Sequence, residues 1–412
     1  MLQQSGASIT IGHGDDLPEG LDLVVYSSAI KPDNPELKSA RSQGIKCLRR
    51  ADFLAELMRP SRSVTICGTH GKTTTTGLTI SALSGCALDP SFAVGGLHRS
   101  LNKYSNFGRG EIFVAEADES DASFLAMPAE VAVITNIDYD HMETYAGDFR
   151  KLKAAFLQFV QQVSAAGCAV VCWDDPAVRD IMQDYNGKML RYGEHADADV
   201  RLIAFKQTGM QSSFKFAVAG KEYSATIAVP GLHNAINSLA AIAIAHYFAL
   251  PMQQVITGLA SFSGMGRRFH VHGEMQLDNK RALLLEDYAH HPRALEATLL
   301  AARNAWPKRR ILLVVQLHRY TRVAALFNEF VTAICLADEV LLPPIYAASE
   351  DAITGINSTA VATAVTALGV ACHAIDALAD VTGALPQVVC DDDIVIFVGA
   401  GSINQLLPEL VN

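Results

Sequence analysis

The stretch Val64-Thr-Ile-Cys-Gly-Thr-His-Gly-Lys-Thr-Thr-Thr-Thr76 constrains this chain more than any other. A β-branched run from Ser63 to Ile66 predicts a short buried strand. Gly68 and Gly71 then open a tight turn, and Thr73 to Leu83 reads as a helix. Strand, glycine-rich turn and helix in that order are what a phosphate-binding loop needs. Glycines let backbone N–H groups crowd around phosphate oxygens, and the helix N-terminus adds its partial positive charge. Lys72 is placed to reach β- and γ-phosphates, and the Thr73 hydroxyl to ligate the Mg²⁺ that nucleotides carry. The pattern is the shortened Gly68-Thr69-His70-Gly71-Lys72-Thr73, because Ile66 stands where the eight-residue form has its first glycine. An ordinary glycine-rich turn before a lysine is the competing reading; the flanking strand and helix favour phosphate.

A chain of 412 residues is too long for one ordinary domain, so two or three are expected, each with its own core. With 50% of residues apolar and 18% charged, disordered and fibrous classes are excluded. A net charge of −10 without a Lys/Arg-rich block argues against a nucleic-acid partner. The 8 cysteines are scattered, and the closest pair, Cys168 and Cys172, is not a C-x-x-C, which suits reduced thiols in a cytoplasmic protein. Met1 to Ser5 shows no basic region followed by an apolar one, so no signal peptide is expected. The longest apolar helix candidate, Leu239 to Leu250, is too short to span a bilayer, so no membrane partner is expected either.

Along the chain, residues 1–60 offer short strands (Ser8–Ile11, Leu23–Tyr26, Lys46–Leu48) and helical pieces (Asn34–Gln43, Ala51–Met58), too little for a doubly wound sheet. From 61 to about 266, strands end in acid. Ile112–Ala117 runs into Glu116-Ala-Asp-Glu-Ser-Asp121, Val131–Asn136 into Asp138-Tyr-Asp140-His141, and Ala169–Trp173 into Asp174-Asp175. Open α/β sheets bind ligands at the carboxyl ends of their strands. Gly264-Met-Gly-Arg-Arg268 reads as a hinge, after which residues 267–412 repeat the rhythm with strands at Ala282–Leu285, Ile311–Val315, Glu339–Leu342 and Ile394–Val398.

Each chemical candidate has a plainer competitor. Glu116 is either a metal ligand or a helix cap, and the surrounding acids favour metal; His141 is either a Mg²⁺ ligand or a turn residue. Asp287-Tyr-Ala-His290-His291-Pro292 suggests zinc, yet adjacent histidines point apart and no third ligand is spaced to join them, so nucleotide or substrate contact is preferred. Arg319 and Arg322, one helical turn apart after a long apolar strand, can clamp a carboxylate or phosphate. His270 and His272 alternate on a strand and read as structural.

Seven motifs in order resemble the Mur ligases: Gly68-Thr-His-Gly-Lys-Thr-Thr74, Ala115-Glu-Ala-Asp-Glu-Ser-Asp121, Thr135-Asn-Ile with Asp140-His-Met142, Pro230-Gly-Leu-His-Asn-Ala-Ile-Asn237, Gly266-Arg-Arg-Phe269, Asp287 to Pro292 and His318-Arg-Tyr-Thr-Arg322. The resemblance runs from about residue 20 to the C-terminus and is narrowest to the branch that ligates L-alanine to UDP-N-acetylmuramate. It implies an α/β, three-domain architecture: an incomplete N-terminal Rossmann-like UDP-sugar-binding domain (1–60), a central P-loop ATPase domain (61–266) and a C-terminal Rossmann-like domain that presents the amino acid (267–412). ATP and Mg²⁺ are the implied cofactors, and UDP-N-acetylmuramate and L-alanine the substrates.

By the same resemblance, Gly68, Thr69, His70, Gly71, Lys72, Thr73 and Thr74 hold the ATP phosphates; Thr73 and Glu116 share one metal and His141 holds a second. His233, Asn234, Asn237 and Arg267 line the nucleotide, Asp287 and Tyr288 meet its adenine–ribose end, and His290, Arg319 and Arg322 handle substrate. Two departures accompany it. The strand and glycine-rich loop that open the family's first domain and grip the UDP diphosphate do not precede residue 20, so ATP is expected to bind and ligation to be poor. Leu317 stands where the family has proline, which predicts a looser arginine clamp. A ligase that recycles whole peptides, and a nucleotide-binding remnant without the UDP site, are the alternative readings; the His318-to-Arg322 element favours the alanine enzyme over the first.

Overall fold

The strand Arg62–Cys67 is the axis of the largest sheet, and its burial explains its composition: from Ser63 onward each residue is buried. Alternate side chains serve opposite faces. Val64 and Ile66 join the core beneath the helices Lys72–Gly85, Leu232–Tyr247 and Met252–Ala260, while Cys67 joins the core that holds Phe156 and Phe159 of helix Phe149–Gln161. The computed structural model describes residue 3 and residues 6–410. Most of Met1 to Ser5, on which the reading of no signal peptide rested, therefore lies outside the described residues.

This sheet has ten strands. Arg62–Cys67 pairs in parallel with Ile112–Glu116 on one side and Val131–Ile134 on the other. Cys168–Cys172 and Met189–Gly193 extend the parallel run outward, and Ser91–His98 extends it on the opposite side, closed by the antiparallel Lys103–Asn106. Beyond Met189–Gly193 comes an antiparallel meander, Val200–Thr208, Gln211–Val218 and Lys221–Ile227. The expectation of a continuing strand–helix rhythm overlooked it. Its period-two burial (Ser212, Phe214, Phe216 and Val218 inward) is the pattern of a one-sided sheet rather than a fully buried parallel one.

A second sheet of six strands orders as His270–Leu277, Lys280–Asp287, Asp393–Val398, Ile311–Val315, Glu339–Leu342 and Ala371–Ala374, all parallel except the first. Registers Asp287↔Val398 and Val315↔Val398 bring three strand exits to one edge. In the large sheet, Ile66↔Glu116 and Cys67↔Ile134 do the same. The junction between the sheets is pinned rather than loose: Gly266 N–H donates to the Leu97 carbonyl at 2.7 Å, and Met265 bridges to His98.

The N-terminal part is a two-stranded parallel sheet, Leu23–Tyr26 with Lys46–Arg49, joined through helix Pro35–Ser42. Asn34 caps that helix, accepting from Leu37 N–H at 3.1 Å. Helix Arg50–Met58 then carries Met58 into the core of the large sheet. The strand expected at Ser8–Ile11 does not form. No neighbouring strand receives it, and Ile11 is 94% exposed. No helix among the described residues is long and apolar enough to cross a membrane.

Candidate active site

The phosphate loop is built by two glycines with left-handed backbones. Gly68 has φ +131 and Gly71, which begins helix Lys72–Gly85, has φ +83. A Cβ on Gly68 would lie 2.1 Å from Thr135 Oγ1, and one on Gly71 2.9 Å from Asn237 Oδ1, so space as well as conformation demands glycine. The segment leaving Val131–Ile134 braces the loop. Asn136 accepts from His70 N–H at 2.8 Å, Thr135 donates to the His70 carbonyl at 2.6 Å, and Thr69 accepts from Asp138 N–H at 2.9 Å.

Lys72 folds back onto this loop, donating to the Gly68 carbonyl at 2.7 Å and to Glu119 Oε2 at 2.7 Å. Burial opposes its charge, but Glu119, Asp118 and Glu116 outweigh it and hold the ammonium above its ordinary range. Burial also pushes the Glu119 carboxyl up, to about 7, with Lys72 pulling the other way. Glu119 Oε1 is buried without a partner among the described residues. Glu119 is thus a functional candidate that the reading of the acidic run passed over in favour of Glu116; its position three residues past the strand end was the available signal.

Thr73 donates to Glu116 Oε1 at 2.8 Å, and Glu116 Oε2 accepts from Gly95 N–H at 2.7 Å. A hydroxyl and a carboxylate in contact at a phosphate loop are the hard oxygen donors Mg²⁺ takes alongside nucleotide phosphates, so these residues fit the ion the family implies. His141, expected to hold a second ion, lies in the loop that follows strand Val131–Ile134. It sits at φ +54, its Nε2 3.7 Å from Asp140 Oδ2. Burial, with Arg322 and Lys72, outweighs Asp140 and keeps its imidazole below the ordinary range, neutral and able to ligate.

Beside the loop lies a cavity of about 220 Å³. His70, Gly71, Thr73, Thr74, His233, Asn234, Asn237 and Asp287 line it as the sequence suggested. Apolar Val229, Phe262, Met265 and Phe269 complete a wall suited to a flat base, with Arg268 and Arg293 also lining it; Arg268 and Phe269 belong to the Gly266-to-Phe269 motif, whereas Val229, Phe262 and Arg293 come from positions that no motif singled out for this role. Two expected nucleotide contacts are placed elsewhere. Arg267 does not line the cavity, because Glu286 Oε1 holds it at 2.8 Å and the Gly399 carbonyl at 3.1 Å. Tyr288 does not either; the guanidiniums of Arg267 and Arg268 lie 4.8 and 4.9 Å from its ring centroid. Of the adjacent pair, Arg268 rather than Arg267 lines the cavity. Asp287 also braces the chain, accepting from Phe269 and Ala289 N–H groups, each at 2.7 Å.

The substrate candidates gather where the loop Asp138–Glu143 meets the second half of the chain. Arg322 lies against Asp140, Arg319 against Glu143 and Glu350, and His290 faces His318 with ring centroids 6.0 Å apart. Arg319 adopts φ +71, a strained backbone for a side-chain-bearing residue, held because its N–H donates to the Tyr346 carbonyl at 2.8 Å. That carbonyl, the Tyr346 N–H bond to the Leu317 carbonyl at 2.8 Å and the His318–Tyr346 stacking fix the strand exit without a proline. Leu317 is buried in the second core, so the arginines are not left loose. His291, expected to find no third ligand, meets His70 and Asp138 from distant segments.

The chain matches three family descriptions in sequence order: Mur ligase family, catalytic domain, over residues 1–62; Mur ligase middle domain over 66–245; and Mur ligase, glutamate ligase domain, over 252–401. The likeness therefore begins at residue 1 rather than near residue 20. A UDP-N-acetylmuramate–L-alanine ligase of Halorhodospira halophila is 42% identical over 98% of this chain and 84% of its own length. The crystal structure of the UDP-N-acetylmuramate–alanine ligase MurC of Thermotoga maritima superposes with a TM-score of 0.83 at 24% identity, covering all of this chain and 89% of that one. The MurF ligase of the same organism, solved in complex with ADP, gives a TM-score of 0.69 at 18% identity over 94% of this chain and 93% of its own. By these matches along nearly its whole length, the chain belongs to the Mur ligase family.

Proposed function

We propose that this chain ligates L-alanine to the carboxylate of UDP-N-acetylmuramate at the expense of ATP, in peptidoglycan precursor synthesis. One juxtaposition carries the reading: the loop Asp138–Glu143 leaves the phosphate-loop sheet and meets the His318–Arg322 element of the second sheet, so a nucleotide phosphate and an acceptor substrate can share one cleft. The name of the 42% identical relative supplies the substrates. The domain limits we assign are 1–60 for the sugar-nucleotide part, 61–266 for the ATPase and 267–412 for the amino-acid-presenting part.

In this mechanism an oxygen of the muramyl carboxylate bonds to the γ-phosphorus as the bond to the β,γ-bridging oxygen breaks and ADP leaves. Lys72 exchanges its carbonyl partners for phosphate oxygens and neutralises the charge that builds there. Thr73 and Glu116 would hold one Mg²⁺ and His141 a second, and bound ions would add neutralisation of phosphate charge. The alanine amine then attacks the acyl carbon and phosphate leaves. His290 is kept neutral by burial and by Arg322; with Nδ1–H toward the Tyr288 carbonyl at 3.0 Å, its Nε2 is free to accept the amine proton. Arg319 and Arg322 are paired here with Glu143 and Asp140, and holding the anionic groups of the substrates requires them to exchange or share those carboxylates, as Lys72 exchanges its carbonyls. The acyl phosphate must be kept from water, and a cleft between the two sheets limits its exposure.

The test is phosphate release with UDP-N-acetylmuramate and ATP, supplied with either L-alanine or a peptide bearing a free amino terminus, with the product weighed by mass spectrometry. Release that needs L-alanine and gives the alanyl product supports the reading. Preference for the peptide would assign the recycling reaction instead.

A further inference from the structure

We propose that His270, His272 and Glu286 form a binding site for a transition-metal dication, zinc above all, at the first strand of the second sheet. The site lies apart from the Thr73–Glu116 pair and does not depend on the ligase reading.

On a strand, residues two apart share a face, and His270 and His272 do so at the start of His270–Leu277. The neighbouring strand places Glu286 directly opposite His270. The register shifts between Val271 and Gly273, leaving His272 as the additional residue of a bulge, a device that re-aims a side chain. As a result the two imidazoles lie with centroids 4.2 Å apart, and His272 Nε2 is 3.1 Å from Glu286 Oε2. One ligand atom from each of the three residues falls within 4.8 Å of the others. Zinc–nitrogen and zinc–oxygen bonds of about 2.0–2.1 Å put tetrahedral ligands roughly 3.3 Å apart, so small side-chain rotations close the set.

The chemistry of the three donors agrees with this geometry. Neither ring nitrogen of His270 has a hydrogen-bond partner among the described residues. Glu286 is 5% exposed while both histidines are part-exposed, leaving an approach from solvent and room for water as a fourth ligand. Two imidazoles and one carboxylate suit zinc, cobalt, nickel or copper and disfavour Mg²⁺. Two positive neighbours oppose a cation: Arg99, which acts on His270, and Arg267, which occupies Glu286 Oε1 at 2.8 Å. Oε2 remains for the metal, which takes the place of the proton shared with His272.

The whole chain, freed of affinity tag and of metal and kept in millimolar MgCl₂, is titrated with ZnCl₂ by calorimetry and with CoCl₂ by visible absorption. One site per chain is expected, with a cobalt spectrum of nitrogen and oxygen ligands and no thiolate charge-transfer band. Binding should weaken by at least about ten-fold in both His270→Ala and His270→Gln, at unchanged melting temperature, and persist in His70→Ala. A site that survives both His270 substitutions overturns the proposal. So does loss of the site in His70→Ala, which would place the metal at His70, Asp138 and His291, and so does the lack of a one-per-chain site in the unsubstituted protein.

Discussion

Arg322 Nη2 lies 2.7 Å from Asp140 Oδ1, with side chains only 5% and 6% exposed, although 182 residues separate them in the chain. Asp138 meets Arg293 at 3.2 Å, and Glu143 meets Arg319. Three carboxylates of one loop therefore tie the ATPase sheet to three arginines of the second sheet. A buried pair is costly to break from one side, because the remaining charge stays out of water. Arg322→Ala should lower stability by roughly 3 kcal/mol and raise the KM for the amino acid, whereas Arg322→Met with Asp140→Leu should recover most of the stability and none of the activity. Urea midpoints and steady-state kinetics on the two variants check this; a double variant no more stable than Arg322→Ala would mean the pair is not the source of the loss.

Asp138 carries the pH dependence of that tie. Burial pushes its carboxyl up, but the hydrogen bond and charge of His70, with His291, outweigh it and hold Asp138 at about 2, against an ordinary 3.8. A depressed carboxylate stabilises fully above its unfolded value and loses that contribution as pH falls through its folded one. The window is thus about pH 4 down to 2, and the contribution at neutral pH is on the order of 2 kcal/mol. Asp138→Asn should be less stable than the unsubstituted chain at pH 7, with the gap closing as pH falls from 4 toward 2. Equal acid sensitivity of the two proteins would remove Asp138 from this role.

Lys72→Met should cost about 10²–10³-fold in turnover while leaving the fold standing. The substitution strands Glu119 in a buried site, yet that carboxyl already sits near 7 and can take a proton instead of remaining an unpaired charge. Phosphate release and a thermal melt measured together separate the two effects. Near-normal turnover would sink the assignment of the loop.

Metal dependence distinguishes ligands from caps. Glu116→Gln keeps the shape, its one carbonyl oxygen accepting from Gly95 N–H while Thr73 Oγ1 must turn to accept from the new NH2, and it removes the negative charge; His141→Ala removes a neutral imidazole. Each should raise the Mg²⁺ concentration for half-maximal activity about ten-fold or more. An unchanged Mg²⁺ curve in both would make them structural residues.

What the sequence made legible was local. The phosphate loop, the acidic strand ends and the helices at Pro35–Ser42, Arg50–Met58, Lys72–Gly85 and Leu232–Tyr247 announce themselves locally, because glycine placement, β-branched runs and caps act at that range. The wall of Phe262, Met265, Arg268 and Phe269 was not legible, since nothing in a hinge-like segment tells which side chains fold back toward a loop almost two hundred residues earlier. Nor was the exchange of roles between Arg267 and Arg268, adjacent residues separated only by which one Glu286 captures. The His70, Asp138 and His291 meeting was hidden for the same reason, and reading His290 with His291 as a pair pointed away from it.

Gly68 and Gly71 give the last prediction, because their alanine variants should fail differently. At Gly71 the added methyl meets the Asn237 side-chain amide at 2.9 Å, a group that can swing aside, and φ +83 costs roughly 1–2 kcal/mol for alanine. The swing takes Asn237 out of the cavity wall, so Gly71→Ala should fold but bind an ATP analogue about ten-fold more weakly. At Gly68 the methyl meets Thr135 Oγ1 at 2.1 Å and the backbone nitrogens of Thr135 and Asn136 at 2.9 and 3.0 Å. Those atoms belong to the segment that braces the loop, and moving it breaks the bonds to His70 and Thr69. Gly68→Ala should therefore lose roughly 3 kcal/mol of stability as well as nucleotide binding. Melting curves and calorimetry with the analogue rank the two; a Gly68→Ala protein as stable as Gly71→Ala would show that the brace yields more easily than its hydrogen bonds suggest.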